Sequence, residues 1–337
     1  MSAAPFDLVA VWAVIIAFGV LMYVVLDGFD LGVGMLFPLF KERGDRDAMM
    51  NSVAPVWDGN ETWLVLGGVG LFAAFPLAYA VILPALYLPL VLMLIALVFR
   101  GVAFEFRFKS RHRRWLWDAA FAGGSTVAAL TQGVALGAFI QGIKVADRAF
   151  AGGPFDWLTP FSLMTGVGLA AGYAMLGCGW LIMKTEGPLQ QRCFALMAPL
   201  GLVVLGFVAA VSLWTPFLSP AIADRWFSWP NLAYLSPVPL LVAIVALALW
   251  RALRRRRQAL PFVLTLCLFV LSYLGLGISL WPHAIPPSVT IWQAASSPEA
   301  QRFLIVGVLV LIPVILGYTG YAYWVFRGKV TGAGYHS

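Results

Sequence analysis

Charged residues are scarce in this chain of 337 residues. Only 11% of the residues are Asp, Glu, Lys or Arg, whereas 61% are hydrophobic. Soluble domains contain about 25% charged residues and are about half apolar, so this scarcity excludes a soluble protein. Apolar runs of about 18 or more residues are typical of membrane spans, because roughly 20 helical residues cross roughly 30 Å of hydrocarbon.

Cysteine is also rare. Cys178, Cys193 and Cys267 form no CxxC or CxxCH motif. This absence excludes a zinc ribbon, an iron–sulfur run and c-type haem attachment on this chain. We expect the three thiols to be small core residues.

The three histidines lie away from the middle of any apolar run. His112 falls in a predicted loop, His283 at a helix end and His336 in the C-terminal tail. Haem in a membrane bundle usually needs an axial His, Met or Cys from the helices. The methionines, Met164 and Met175 among them, are typical of core filling. We therefore predict neither haem nor a metal on this chain.

A basic segment is missing before the first apolar stretch, which is preceded by Asp7. A secretory signal peptide begins with a positively charged region and has a short apolar core. The apolar stretch here is long. We therefore expect the first helix to stay in the protein as a membrane span.

The apolar runs predict an all-α integral membrane protein with about nine transmembrane helices. We expect two four-helix bundles plus one extra helix, and a single membrane domain that covers residues 1–337. The first span is long for one crossing, so it should tilt or emerge into water. The predicted spans are 8–38, 50–74, 77–104, 117–142, 160–184, 194–216, 233–250, 260–281 and 303–326.

Basic residues alternate between the two sides of the predicted membrane. Of the 22 Lys and Arg residues, 17 lie in the loops that follow odd-numbered spans. The positive-inside rule then predicts a periplasmic N-terminus and a cytoplasmic C-terminus. The rule also accounts for the net charge of +7, because the basic residues lie in loops beside the lipid bilayer. Nucleic acid is therefore not needed as a partner to explain the charge. The 17 residues are Lys41, Arg43, Arg46, Arg107, Lys109, Arg111, Arg113, Arg114, Lys184, Arg192, Arg251, Arg254, Arg255, Arg256, Arg257, Arg327 and Lys329.

Ionisable residues inside the spans are concentrated in the first three helices. Such residues are costly in a membrane and indicate functional sites. In the first two helices, pairs of carboxylates are three residues apart and so share one helix face. We predict that three neighbouring helices bring up to five carboxylates and one guanidinium to one region in the cytoplasmic half. The six residues are Asp27, Asp30, Asp58, Glu61, Arg100 and Glu105.

A carboxylate in a low-dielectric region can exist in either protonation state near pH 7. The predicted cluster therefore suits the conduction of protons from the cytoplasm. We predict that Asp58 and Glu61 lie on such a proton pathway. Arg100 would hold one carboxylate ionised and fix its geometry.

A structural interpretation of the same residues stays open. Arg100 paired with Asp58, or with an aspartate of the first span, would fasten three helices together. Asp30 and Glu105 would then snorkel to the interface. The residues for which we favour a buried structural or interface role are Asp27, Asp30, Trp57, Arg100 and Glu105.

Two further segments have simple interpretations. Gly28 and Gly32 form a small-xxx-small pair that favours close helix packing, and the absence of GxGxxG excludes a nucleotide site. The Pro- and Ser-rich segment 281–299 is expected to be an ordered re-entrant or surface loop. It serves either as a plain connection or as a docking surface for a partner subunit.

Long sequence strings give the most specific information. They include YVVLDGFDLGVG at 23–34, PVWDGNETWL at 55–64, FRGVAFEFR at 99–107 and IPVILGYTGYAYWVFRGKV at 312–330. By these strings, which extend over nearly the whole chain, the sequence resembles subunit II of the cytochrome bd-type quinol oxidases. It departs from the family pattern at Cys178 and Gly179, where Ala and Thr are usual. This departure favours a divergent branch such as the cyanide-insensitive type.

The resemblance implies a subunit of an aerobic respiratory complex in the bacterial inner membrane. The complex oxidises quinol, reduces oxygen to water and generates a proton gradient without pumping. Two b-type haems, one d-type haem and the main quinol site would belong to the partner, subunit I. Subunit II packs beside it, with a small single-helix subunit as a further expected partner. In some members it carries a structural quinone, whose binding residues here are unknown.

The resemblance also implies a proton route past the Asp of the WDGNETW string, which is Asp58 here.

Other functions stay open on the residues alone. A secondary transporter would need a mid-membrane site between broken helices, whereas the predicted charges lie to one side. A purely structural partner of subunit I would tolerate Asp58→Asn. An enzyme acting alone is disfavoured because the chain has no metal-binding or nucleophile constellation.

Overall fold

A computed structural model describes residues 7–110 and 112–330. Arg111 and His336 lie outside the described residues. The described chain is almost entirely helical, with two short antiparallel hairpins and a 3-10 turn at Phe37–Leu39. The elements in chain order are α1 (Leu8–Leu36), α2 (Arg43–Val53), α3 (Trp57–Ala74), α4 (Pro76–Ala85), α5 (Tyr87–Lys109), α6 (Arg114–Gln141), β1 (Val145–Ala146), β2 (Ala149–Phe150), α7 (Pro160–Lys184), α8 (Gly187–Leu218), α9 (Pro220–Phe227), α10 (Asn231–Leu235), α11 (Pro237–Arg254), α12 (Leu260–Leu280), β3 (His283–Ile285), β4 (Val289–Thr290), α13 (Ile291–Ala294) and α14 (Pro298–Val325).

Eight helical segments among the described residues are long and apolar enough to cross a membrane, which confirms an all-α membrane protein. They are α1 with the turn after it, α5, α6, α7, α8, α10 with α11, α12 and α14, and α4 is a shorter apolar helix. Helix α3 stands where the second span was predicted. Its first turns carry Asp58, Asn60 and Glu61, which make it less apolar than the others. With α3 included, the helices match the nine predicted spans one for one.

The predicted boundaries of the second and third spans, 50–74 and 77–104, are wrong in two places. Residues up to Val53 belong to the separate helix α2, and α3 begins only at Trp57. The third span is divided into α4 and α5. Pro89 explains this division, because proline has no N–H to donate to the carbonyl four residues earlier and its ring clashes with that carbonyl.

The helices pack in the predicted arrangement of two four-helix groups plus one. Helices α1, α3, α5 and α6 form the first group, and α7, α8, α11 and α12 form the second. Helix α7 packs against both α1 and α6 and so joins the groups. Helix α14 lies outside them, against α3 and α1.

Glycines allow the close crossing of α1 and α7. A Cβ on Gly32 would overlap the carbonyl of Tyr173, and a Cβ on Gly28 would lie 2.6 Å from the Tyr173 ring. The close packing predicted for these two glycines is therefore confirmed. Asp27 and Asp30 lie in the same stretch of α1, and both are completely buried.

The two ends of the molecule differ. The basic end comprises α2, residues 110 and 112–113, and the loops at 185–186, 255–259 and 326–330. The hairpin end comprises α4, α9, α13 and both hairpins. In the hairpins Val145 pairs with Phe150, and His283 pairs with Thr290. The segment 281–299 is ordered as a hairpin followed by α13, and it contributes to a second apolar core.

Candidate functional site

Arg100 on α5 is the centre of a buried charge cluster. Its Nη1 lies 2.7 Å from Asp27 Oδ1 and 4.0 Å from Glu61 Oε2, and its Nη2 lies 3.8 Å from Asp30 Oδ2. The guanidinium and both aspartates have no exposed surface, whereas the Glu61 side chain is 28% exposed. Two helices thus direct three carboxylates at one cation on a third helix, and Glu61 is the carboxylate with exposed surface on this chain.

The local sequence explains how each group reaches this place. The spacing of three residues puts Asp27 and Asp30 on one face of α1, and Glu61 is in the second turn of α3. Gly124 lets α6 approach α5, since a Cβ there would lie 2.5 Å from the Ala96 carbonyl. Arg100 lies nine residues before Lys109, the last residue of α5, so at 1.5 Å per residue the cluster lies about 14 Å from the basic end.

The balance of charges around Arg100 determines whether the cluster can bind a proton. If Asp27, Asp30 and Glu61 were all ionised, they would leave two uncompensated negative charges beside Arg100 in a membrane-embedded region. An unpaired buried charge is very costly, so the group as a whole favours holding a proton. A set of carboxylates that holds a proton and is open to solvent on one side can take up and pass on protons.

Two hydrogen-bonded extensions leave the cluster. In the first, Asn60 Nδ2 donates to Asp30 Oδ2 at 2.7 Å, and the Tyr323 hydroxyl of α14 donates to Asn60 Oδ1 at 2.9 Å. In the second, the Tyr173 hydroxyl donates to Gln132 Oε1 at 2.9 Å, and Gln132 Nε2 donates to the Tyr23 hydroxyl at 2.7 Å. Tyr23 is one helical turn before Asp27 on α1.

The cluster is incompletely hydrogen-bonded. Within the described residues, Asp27 Oδ2, Asp30 Oδ1, Arg100 Nε and Arg100 Nη2 are buried and make no hydrogen bond. Buried polar atoms in native proteins are nearly always paired, and the exceptions are found at catalytic sites or where water binds. These four atoms are therefore where water or a proton could bind within the cluster.

The remaining predicted site residues lie outside this cluster. Asp58 is exposed on α3, and no ion pair joins it to Arg100 among the described residues. Glu105 is 56% exposed and pairs with Lys109 at 3.1 Å. Of the up to five carboxylates predicted for one region, three therefore surround Arg100, whereas Asp58 and Glu105 form no ion pair with it among the described residues. Trp57 stacks on Phe104 at a ring distance of 4.7 Å and so joins α3 to α5.

Sequence reasoning missed the neutral polar residues. Asn60 lies inside the WDGNETW string, between two carboxylates that were recognised. Tyr23 stands four residues before Asp27, at the spacing that places side chains on one helix face. Gln132, Tyr173 and Tyr323 carry no local sequence signal, since only the packing of α6, α7 and α14 brings them close.

A second ionic cluster lies at the basic end. Arg107 of α5, which is 1% exposed, donates from Nε to Asp118 Oδ1 at 2.5 Å and from Nη1 to Asp47 Oδ1 at 2.6 Å. Arg46 of α2 also pairs with Asp118, at 2.8 Å. These contacts fasten α2 to α5 and α6.

An apolar cavity of about 680 Å³ opens between α1, α10 and α12 near the hairpin end. Its lining includes Phe18, Leu274 and Trp281, with few polar groups. The Tyr273 hydroxyl donates to the Ala17 carbonyl at 2.8 Å, and Arg225 at the rim donates to carbonyls at the end of α12. The described residues contain no group of three His, Cys, Asp or Glu side chains placed to hold a metal ion.

Comparisons with known proteins agree on one family. The sequence model of the family described as "Cytochrome bd terminal oxidase subunit II" matches residues 8–326. The "Cytochrome bd-I ubiquinol oxidase subunit 2" of Escherichia coli is 31% identical over 95% of this chain and 94% of its own length. The "Cytochrome bd ubiquinol oxidase subunit 2" of Bacillus subtilis is 29% identical over 95% and 96%.

A solved structure shares the fold. A chain of the bd oxidase from Geobacillus thermodenitrificans superposes with a TM-score of 0.78 over 95% of this chain and 99% of its own length, at 15% sequence identity. The family model and the relative from Escherichia coli confirm the family resemblance read from the sequence strings.

Proposed function

The chain belongs to the cytochrome bd terminal oxidase subunit II family, and from this premise we propose that it delivers protons from the cytoplasm to oxygen reduction in a partner subunit. It is a subunit of a quinol oxidase of the respiratory chain and an integral inner-membrane protein. The partner is subunit I, to which we assign two b-type haems, one d-type haem and the site of quinol oxidation. We propose no haem on the present chain.

The observation that carries this proposal is the Arg100 cluster. It combines buried carboxylates with a half-buried one, Glu61, in the half of the membrane next to the basic end. We propose that this end is cytoplasmic and that the N-terminus is periplasmic, because 17 of the 22 basic residues follow the odd-numbered predicted spans in the sequence. Protons taken up there would cross part of the membrane field, which is worth about 2.3 kcal/mol per charge per 100 mV for a full crossing.

The role in proton transfer predicted for Asp58 is compatible with this proposal, although Asp58 lies outside the Arg100 cluster. Asp58 is exposed one turn before Glu61, so we propose that it collects protons at the mouth of the pathway and Glu61 receives them. The buried pair Asp27 and Arg100 then fixes the geometry behind Glu61. A closed, charged interior of this kind suits a shielded route and would resist leakage of protons.

The apolar cavity fits the structural quinone that some family members carry. Its volume and lining suit an isoprenoid tail, and Tyr273 and Arg225 are the polar groups placed to contact a quinone ring. A bound quinone would supply packing between the two helix groups.

We also propose that the uncovered face of α14 contacts lipid or subunits, including the small single-helix subunit.

The test is purification of the complex from membranes, followed by a reduced-minus-oxidised haem spectrum and quinol-dependent oxygen uptake. Glu61→Gln and Asp58→Asn should lower oxygen uptake per haem with normal haem content. Glu105→Gln is the matched control, because this exposed carboxylate on α5 lies outside the cluster.

Each outcome has a clear meaning. A wild-type chain that is purified alone, colourless and inactive contradicts the proposed function. Full oxygen uptake in both Glu61→Gln and Asp58→Asn favours the second candidate, a scaffold, for which the joining of three helices by Arg100 is the supporting observation.

A further inference from the structure

A narrow cleft separates the start of α3 from the last turns of α14 at the basic end. Gly59 and Asn60 line it on one side, and Thr319 and Tyr323 line it on the other. Its free volume is about 10 Å³, close to the space that one water molecule requires. The cleft faces a different side of α3 from Glu61, because successive helical residues are about 100° apart.

Two side chains connect this cleft to the buried cluster. Tyr323 donates to Asn60, and Asn60 donates to Asp30 Oδ2. Among the described residues, the buried atoms Asp30 Oδ1 and Thr319 Oγ1 make no hydrogen bond. Thr319 lines the cleft and Asp30 lies behind Asn60, so unpaired polar atoms stand on both sides of the Asn60 side chain, where water could bind.

The end of α14 is held firmly beside the cleft. The Lys184 ammonium of α7 donates to the carbonyls of Phe326 and Gly328, and the Val330 N–H donates to the Lys184 carbonyl at 2.8 Å. The rest of α14 makes few contacts with the chain. These contacts tie the chain after α14 to the end of α7, and the Tyr323–Asn60 hydrogen bond links α14 to α3 beside the cleft.

We propose that this cleft is a second access route for protons, which admits water from the basic end and delivers the proton to Asp30. The inference rests on the proposed function, because it names a route to the same carboxylate cluster. In the transfer an O–H bond forms at Asp30 Oδ1 and one O–H bond of hydronium breaks, which leaves water. Asn60 and Tyr323 are positioning residues that orient Asp30 and line the passage.

Cysteine labelling measures the access directly. In the intact complex, Thr319→Cys should react with a charged methanethiosulfonate reagent supplied from the basic end. Val314→Cys, which is 63% exposed on α14 but deeper in the span, should react only with a neutral, lipid-soluble maleimide. The unsubstituted complex gives the background from Cys178, Cys193 and Cys267. Absence of charged-reagent labelling at position 319 overturns the inference.

Blocking the cleft tests its use. A Cβ on Gly59 would lie 3.5 Å from Tyr318, an ordinary contact, so Gly59→Ala should be accepted and Gly59→Leu should fill the cleft. We expect Gly59→Leu to lower oxygen uptake per haem several-fold and to prevent labelling of Cys at position 319. Gly206→Leu on α8, where no atom lies within 4 Å, is the control for a bulky residue and should keep the wild-type rate.

The outcomes separate this inference from the proposed function. Lower uptake in Glu61→Gln together with full uptake in Gly59→Leu contradicts the second route alone. A wild-type complex that consumes no oxygen contradicts the proposed function and the route with it. Lower uptake in Gly59→Leu with normal haem content, together with labelling at position 319, supports the route.

Discussion

Two arginines on α5 illustrate how the same residue type serves two purposes. Arg100 and Arg107 are seven residues apart, and both side chains are almost completely buried. Both contact carboxylates from two neighbouring elements. The carboxylates around Arg107 are 15% and 31% exposed, and its contacts are short, at 2.5 and 2.6 Å. The aspartates around Arg100 have no exposure, and two of its three carboxylate contacts are 3.8 and 4.0 Å long.

The difference lies in how completely each group is satisfied. No Arg107 nitrogen is among the buried atoms without a hydrogen bond, whereas Arg100 and its aspartates contribute four such atoms. An arginine with short contacts to two partly solvated carboxylates suits a fixed structural contact between α2, α5 and α6. A cluster with excess carboxylates and free polar atoms can rearrange as protons arrive. We infer that seven residues along one helix separate a structural contact from a working site.

The largest effect is expected for Arg100→Leu. The substitution leaves Asp27 and Asp30 buried without a counter-charge, which typically costs about 3–5 kcal/mol. We expect loss of the assembled, haem-containing complex, measured as haem per milligram of membrane protein. A normal yield would show that the aspartates do not depend on Arg100.

A smaller effect is expected for Arg107→Leu, the matched substitution in the second ionic cluster. Asp47 and Asp118 keep contact with solvent and with Arg46 or Arg114, so the cost should be about 1–3 kcal/mol. The complex should assemble with a lower melting temperature and an unchanged rate of oxygen uptake per haem. A severe loss of rate with normal haem content would remove the distinction between the clusters.

A still smaller effect is expected for Gln132→Leu, which removes the link between Tyr23 and Tyr173. One net hydrogen bond is worth about 1 kcal/mol. Assembly should be nearly normal, and oxygen uptake should fall by less than in Glu61→Gln. Measurement of both variants in the same membranes decides whether this branch only orients Tyr23, and a larger loss in Gln132→Leu would mean that it conducts protons.

The smallest effect is expected for Asp156→Asn at the hairpin end. The exposed Lys144 ammonium lies 3.0 Å from Asp156, and this hydrogen bond lowers the pKa of the Asp156 carboxyl. A lowered pKa means that the stabilisation is present above the pKa of an unfolded aspartate and is lost as the pH falls through the lower folded value. Because an exposed ion pair contributes little, the melting temperature of the variant should lie only slightly below that of the wild type between pH 6 and 8, and this difference should vanish as the pH falls through the folded pKa. A clear difference in that range would contradict the ranking by burial.

Much of the fold could be predicted from sequence because the membrane restricts the choice of structure. Backbone polar groups must be satisfied within each span, so apolar runs of sufficient length become helices. The boundaries failed where two signals overlap. Helix α3 begins at Trp57, later than predicted, with polar residues in its first turns. Pro89 accounts for the break between α4 and α5 within an apolar run. Apolar composition alone does not register either event.

The candidate site was predicted in part, for a similar reason. A charge in an apolar helix is visible in the sequence, so Asp27, Asp30, Glu61 and Arg100 were recognised. The direction of a side chain near a helix end is not visible. Asp58 and Glu105 were therefore placed in the cluster although both are exposed. Their proposed roles, and the cyanide sensitivity of the complex, stay predictions.

The sequence by itself determined the membrane class, the helix order, the family and the face of α1 that carries Asp27 and Asp30. These follow from composition, from helical periodicity and from strings of adjacent residues. Only the tertiary structure decided which carboxylates meet Arg100, and that Asn60, Tyr323 and Gln132 extend the cluster. The physical reason is that hydropathy and periodicity are local along the chain. Contacts between α1, α3, α5 and α14 depend instead on how glycines and bulky side chains set the distances between helices.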